Sequence, residues 1–322
     1  MTLAVRRLVC VSANPAIDKT VAVDVLRPGG IHRPVVLAML PGGKALNVAR
    51  AAARLGLEVC AVAITAGHAG RWFEDALTAR SIRGRFVRVK GETRTCTSIL
   101  DRSTGRLTEL YEAGPPLPPD TWHELEAVLA DELTAGADPG GTLVVASGSL
   151  PPGAREDGFG RLASMAASHG ARIVVDTGQP GLALALRARP WLVKVNAAEA
   201  GAATDLPTGD EDGTVAAARA LRAAGAVIAL VTRGTAGAVL VTDEGTWRIG
   251  PPPERGAYTV GSGDALVAGL ARALADGHPL PEAARRGAAF AAANALTPGQ
   301  GELDPAAAAR ILPGITLERL GD

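Results

Sequence analysis

The 322-residue chain predicts a doubly wound, mostly parallel α/β sheet with helices on both faces, carrying a small β-sheet lid. Three observations carry this. Short runs rich in Val, Ile and Leu alternate with alanine-rich stretches of helical spacing. The runs are apolar on both faces, as strands covered by helices on each side must be. Two partly polar segments with turn residues break the alternation and read as strands without helices.

In chain order, the first strand is RLVCVSA from Arg7. The first break, Thr20–Leu40, contains the turn signal Pro28-Gly29-Gly30, and a helical stretch over Ala45–Leu55 follows. The second break, Phe86–Glu112, contains Ser103-Thr104-Gly105. From there helices are predicted over Trp122–Leu133, Phe159–His169, Val215–Ala224, Ala265–Ala275 and Glu282–Leu296. They are interleaved with apolar strands starting at Thr142, Arg172, Trp191 and Val227. Right-handed crossovers between such strands place ligands beyond their carboxyl ends. The expected organisation is one domain over residues 1–322 with lid strands inserted at 20–40 and 86–112. The Pro-rich segments Gly114–Asp120 and Gly250–Gly256 are too short for linkers and read as ordered loops.

Composition narrows the function. Lys plus Arg and Asp plus Glu each total 33, so no global charge draws the chain to nucleic acid or an anionic membrane, and any anion must be held locally. Cys10, Cys60 and Cys96 are odd in number and far apart, which fits neither a disulfide framework nor a paired-cysteine metal site. The apolar run near the N-terminus ends at Asn14-Pro15, too short for a signal core or a membrane span. A cytoplasmic protein is expected.

The sharpest chemical signal is Thr259-Val260-Gly261-Ser262-Gly263-Asp264, running directly into a helix. Amides of Gly261, Ser262 and Gly263 at a helix start suit a phosphate. Asp264 in the first turn suits either a helix cap or a base that takes the proton of an attacking hydroxyl. A second loop-to-helix signal is Pro41-Gly42-Gly43-Lys44-Ala45-Leu46-Asn47. Its glycines permit close backbone approach to a ligand, while Lys44 and Asn47 supply a charge and an amide. The same residues also suit a plain turn. The spacing is not that of a Walker A loop, and no GxGxxG follows the first strand.

Five motifs in fixed order are more specific than any one of them. They are Asn14-Pro15-Ala16-Ile17-Asp18, the Gly42–Ala49 stretch, Ser147-Gly148-Ser149-Leu150-Pro151-Pro152-Gly153, Asn196-Ala197-Ala198-Glu199 and Val260–Asp264. In this combination the chain resembles PfkB-type, ribokinase-like carbohydrate kinases over nearly its whole length. Within that family it is similar to the branch of 1-phosphofructokinase, tagatose-6-phosphate kinase and the minor 6-phosphofructokinase.

The resemblance implies transfer of the ATP γ-phosphoryl group to a ketohexose phosphate, with fructose 1-phosphate the leading acceptor. The alternatives are tagatose 6-phosphate, fructose 6-phosphate or a sugar-phosphate-binding regulator that has lost transfer. It implies that Asp18, Gly42, Gly43 and Asn47 form the sugar site. Arg94 would reach the phosphate already on the acceptor, assisted by Lys44 and Ser147. Lys194, Asn196, Thr232, Gly234, Gly237 and Asn294 would hold ATP, and Glu199 would act on Mg²⁺ through water. Asp264 would be the base. A homodimer through the lid sheets is also implied. The chain departs from the family pattern at Ser262, usually alanine, and at Cys96, commonly asparagine. The five histidines form no close cluster in the sequence and are assigned no catalytic role.

Overall fold

Residues 5–136 and 138–321 are described by the computed structural model. The chain runs β1 (Arg7–Ser12), β2 (Ala16–Val23), β3 (Val35–Gly42), α1 (Lys44–Arg54), β4 (Glu58–Ala66), α2 (Gly67–Thr78), β5 (Arg83–Val89), β6 (Arg94–Asp101) and β7 (Arg106–Tyr111). It continues through α3 (Thr121–Ala135), β8 (Thr142–Ser147), α4 (Gly158–Ser168), β9 (Arg172–Asp176), α5 (Gly181–Leu186), β10 (Leu192–Asn196), α6 (Ala197–Thr204) and α7 (Glu211–Ala223). Then follow β11 (Ile228–Thr232), β12 (Ala238–Val241), β13 (Thr246–Ile249), α8 (Ser262–Ala275), α9 (Leu280–Ala295), α10 (Pro305–Ile311) and β14 (Leu317–Leu320).

Ten strands form one sheet in the order β14-β13-β12-β11-β10-β9-β8-β1-β4-β5. Pairing is parallel from β5 to β11 and antiparallel from β11 to β14. Strand periodicity divides the core. Leu8 and Cys10 of β1 pack with α1, α8 and α9 on one face, whereas Val9 and Val11 pack with Trp122 and Phe159 of α3 and α4 on the other. Each fully buried Leu or Val of this kind stabilises by about 1.5–3 kcal/mol. Because β1 has β4 on one side and β8 on the other, a crevice opens beyond its carboxyl end, where the chain leaves at Ala13-Asn14.

The lid is a four-stranded sheet in the order β3-β2-β6-β7, with β2 and β6 parallel. Its bounds differ from the expected 20–40 and 86–112: β2 begins at Ala16, and residues 86–89 belong to β5, which pairs with β4 in the large sheet. As the edge strand of that sheet, β5 buries Val87 and leaves Arg83 and Arg88 exposed, so its sequence alternates as a lid strand would. Several elements of the large sheet also escape the apolar-run criterion. β4 is alanine-rich and follows the alanine run of α1, while β12, β13 and β14 are only four residues each. Among the described residues, no helix is long and apolar enough to cross a membrane.

Candidate active site

A cavity of about 800 Å³ lies between the lid, the carboxyl ends of the parallel strands and the start of α8. Asp264 forms its floor. The carboxylate stands in the first turn of α8, which begins at Gly261 in the left-handed region (φ 83°), and is only 5% exposed. Asn47 Nδ2 of α1 donates to its Oδ2 at 2.9 Å. Burial, reinforced by the charge of Asp176 and opposed by Lys194, Lys44 and the Asn47 hydrogen bond, pushes its pKa up to about 7. Ser262 N–H turns back to the Thr259 carbonyl at 3.2 Å, leaving the amides of Gly261 and Gly263 without an internal partner among the described residues.

Beside Asp264 lie two ammonium groups sharing one buried carboxylate. Lys194 Nζ donates to Asp176 Oδ2 at 2.6 Å, and Lys44 Nζ donates to Asp176 Oδ1 at 2.8 Å and Glu199 Oε1 at 3.4 Å. Burial disfavours the charged forms of Asp176 and Lys44, but the pairing prevails: Asp176 is held below the usual carboxylate range and Lys44 above the usual lysine range. A Cβ on Gly263 would lie 2.3 Å from Lys194 Nζ, so this ammonium sits directly against the first turn of α8.

The lid contributes the opposite wall. Asp18, Cys96 and Tyr111 form one cross-strand row and all line the cavity. Asp18 Oδ2 accepts from Gly43 N–H at 3.2 Å; burial pushes the carboxyl up to about 6 against the pull of Arg50 and Arg94. Arg94 Nη2 donates to the Asn14 carbonyl at 3.1 Å and Nη1 to the Glu112 carbonyl at 3.3 Å, while its Nε has no partner. Thr232, Gly234 and Gly237 also line the cavity, together with alanines of α9. Asn196 caps α6: its Oδ1 accepts from Glu199 N–H at 2.9 Å, and Glu199 Oε2 accepts from Asn196 N–H at 2.9 Å.

Three residues expected at the site stand elsewhere. Ser147 remains buried at the end of β8 with an unpartnered Oγ; Gly148 and Ser149 line the cavity in its place, and Ser149 Oγ accepts from Asn14 Nδ2 at 2.9 Å. Gly42 lies behind Asp18, where a Cβ would fall 2.0 Å from Oδ2, so it makes room for the carboxylate. Asn294 does not line the cavity, because its amide is taken up by the loop ahead of α8 and by Gly301: Nδ2 donates to the carbonyls of Val260 (3.0 Å) and Tyr258 (3.2 Å), and Oδ1 accepts from Gly301 N–H at 2.8 Å. Sequence reasoning missed Asp176, Arg50 and Gln300. Asp176 carried a signal, an acid closing the apolar run Ile173-Val174-Val175 at a strand's carboxyl end. Arg50 also carried one, an arginine on the alanine-rich face of α1 three residues beyond Asn47.

The profile of the "pfkB family carbohydrate kinase" matches residues 7–307, nearly all of the fold just described. The chain belongs to this family. The pfkB membership makes it a phosphotransferase acting on an alcohol group, and its sheet and lid are those of the ribokinase-like neighbours. It is 38% identical over 288 residues to a 1-phosphofructokinase of Xanthomonas campestris, covering 88% of this chain and 89% of that protein. Among solved pfkB structures, a possible 1-phosphofructokinase from Thermotoga maritima superposes with a TM-score of 0.88 at 26% identity, covering 98% of this chain and 100% of that one. Phosphofructokinase-2 from Escherichia coli in complex with substrates and products superposes with a TM-score of 0.86 at 28% identity, covering 96% and 99%.

Proposed function

We propose that the chain transfers the γ-phosphoryl group of ATP to a hydroxyl of a ketohexose phosphate, with fructose 1-phosphate giving fructose 1,6-bisphosphate as the leading reaction. The carrying observation is that buried Asp264, with its pKa raised to about 7, shares one cavity with Asp18 and Arg94 of the lid and with the two lysines on Asp176. Asp18 accepts from sugar hydroxyls, and the guanidinium of Arg94 meets the acceptor's existing phosphate. Asp264 takes the proton of the attacking hydroxyl as the phosphoryl group arrives. The amides at the start of α8 and the ammonium groups of Lys194 and Lys44 counter the charge that develops on the transferring group. The relatives named 1-phosphofructokinase favour the C1-phosphorylated acceptor.

The residues present fit a hydrated Mg²⁺. Among the described residues no group of three acidic, His or Cys side chains is gathered to cage a metal. The Glu199 oxygens already accept from Asn196 N–H and Lys44, which suits contact through water. Mg²⁺ would supply charge neutralisation on the nucleotide phosphates.

A homodimer through the lid sheets is part of this reading. Of the large apolar side chains exposed among the described residues, all but Val227 lie on the lid strands or their loops, including Val35, Val36, Met39 and Leu110. ATP as substrate and three unpaired buried cysteines support a cytoplasmic setting.

The test is ADP release with fructose 1-phosphate, fructose 6-phosphate, tagatose 6-phosphate and free fructose at equal concentration. The expected result is a clear preference for fructose 1-phosphate. Preference for a 6-phosphate would reassign the acceptor, and turnover with none of the four would sink the assignment.

A further inference from the structure

The Gln300 side chain joins strands β6 and β7 of the lid to the network around the base, to which β3 is tied separately through the Pro41 carbonyl. Gln300, in the loop between α9 and α10, is 3% exposed and reaches the cavity wall. Its Nε2 donates to Ser98 Oγ of β6 at 3.0 Å, and Ser98 Oγ donates to Glu109 Oε2 of β7 at 2.7 Å. Ser98 and Glu109 are paired across the strands, two residues along from Cys96 and Tyr111, so they share the cavity-facing side of the lid. In the other direction, the Gln300 carbonyl accepts from Arg50 Nη2, which also donates to Asn47 Oδ1 at 2.8 Å. Asn47 Nδ2 completes the path to Asp264. Arg50 is itself fixed by the Pro41 carbonyl and Glu302, both at 2.8 Å.

The main chain tightens the same junction. A Cβ on Gly301 would lie 2.7 Å from the Asn47 carbonyl oxygen, and one on Gly261 would lie 2.7 Å from Gly301 N and 2.8 Å from Gln300 Cα. The loop, α1 and the phosphate cradle therefore touch backbone to backbone. A displacement of Gln300 passes to Asn47 and the start of α8 because there is no slack to absorb it.

Resting on the reading of Asp264 as the base, we propose that Gln300 is a positioning residue that latches the lid to the Arg50–Asn47 network, so that the carboxylate is held in its reacting orientation when the lid is seated over the acceptor. Ser98 is the lid's half of the latch. An unlatched lid admits water to the transferring phosphoryl group, and ATP hydrolysis then competes with transfer.

Gln300→Met preserves length and removes the side-chain amide while keeping the main-chain carbonyl that holds Arg50, and Ser98→Ala removes the partner without altering the cavity wall. Each is expected to lower turnover by about tenfold and to raise ADP released per acceptor phosphorylated severalfold, with the ATP Kd from calorimetry within about twofold of wild type. The double variant should be no worse than the more severe single one, since both break one link. Native ATP affinity establishes a folded site, and Ser98→Ala carries the test by itself if Gln300→Met lacks it. Multiplying defects in the double variant, or unchanged coupling of ADP release to transfer in the folded single variants, would overturn the latch. Asp264→Asn, assayed alongside, separates the two readings. Near-normal turnover there removes the base and with it the positioning step, whereas lost turnover there with intact coupling in the Gln300 and Ser98 variants overturns the latch alone.

Discussion

Asp264 is unusual among the carboxylates because nothing around it fully compensates its burial: the two nearest lysines are already committed to Asp176. Its charged form is therefore disfavoured, and the pKa rises to about 7. A base acts when deprotonated, so kcat/KM should be level above about pH 7 and fall about tenfold per pH unit below it. The rise of Asp18 to about 6 steepens the same acid limb. Asp264→Asn should cut turnover by at least about 10²–10⁴ and remove the component of that limb near pH 7, leaving the one near pH 6, while ATP binding persists. A pH profile flat from 5.5 to 8.5 in the wild type would count against the assignment. At this scale the sequence revealed residues standing in loop-to-helix turns, such as Asp264, Gly43 and Asn47, because glycine and a functional side chain mark such turns together. Asp176 was legible only as an acid closing a strand, and Gln300 not at all. The first reads as the end of a strand and the second as a loop residue, and only the packing of distant segments brings them to the lysines and to Ser98.

The elements that matter most to the site are short connections. The loop around Gly301 is stapled by Asn294 to the loop that leads into α8, and Gly301 itself has φ +72° with the Asn47 carbonyl against its open side. Gly301→Ala should destabilise the protein by about 1–3 kcal/mol and displace α1 from α8, which urea unfolding would register as a lower midpoint at unchanged slope. An unchanged midpoint would show that the loop relaxes freely. The helices α1, α3, α4, α7, α8 and α9 were legible from their alanine and leucine spacing, whereas α2 and the short α5, α6 and α10 were not. Strands were legible when rich in Val, Ile and Leu, as in β8 and β11, but β4 and the four-residue strands β12 to β14 were not, since their pairing comes from position in the sheet more than from composition.

On the scale of the whole molecule, the lid presents two unlike faces. The row Asp18–Cys96–Tyr111 turns to the cavity, and the row Met39–Lys19–Thr97–Leu110, one residue along each strand, turns away from it. Exposed Met39 and Leu110 on that outer row suit a second copy of the sheet. Leu110→Glu should convert a dimer to monomers in sedimentation equilibrium, while a wild-type protein already monomeric at micromolar concentration would remove the interface. The cavity itself is divided by chain order. On the proposed reading, residues 18–149 would build the acceptor wall and residues 194–295 the nucleotide end, with Lys44 reaching forward to Glu199 and Gln300 reaching back to Ser98 as crossing points. Acceptor choice and donor choice are thus separately heritable: substitutions confined to the first half of the chain can trade one sugar phosphate for another while the inherited nucleotide end stays intact.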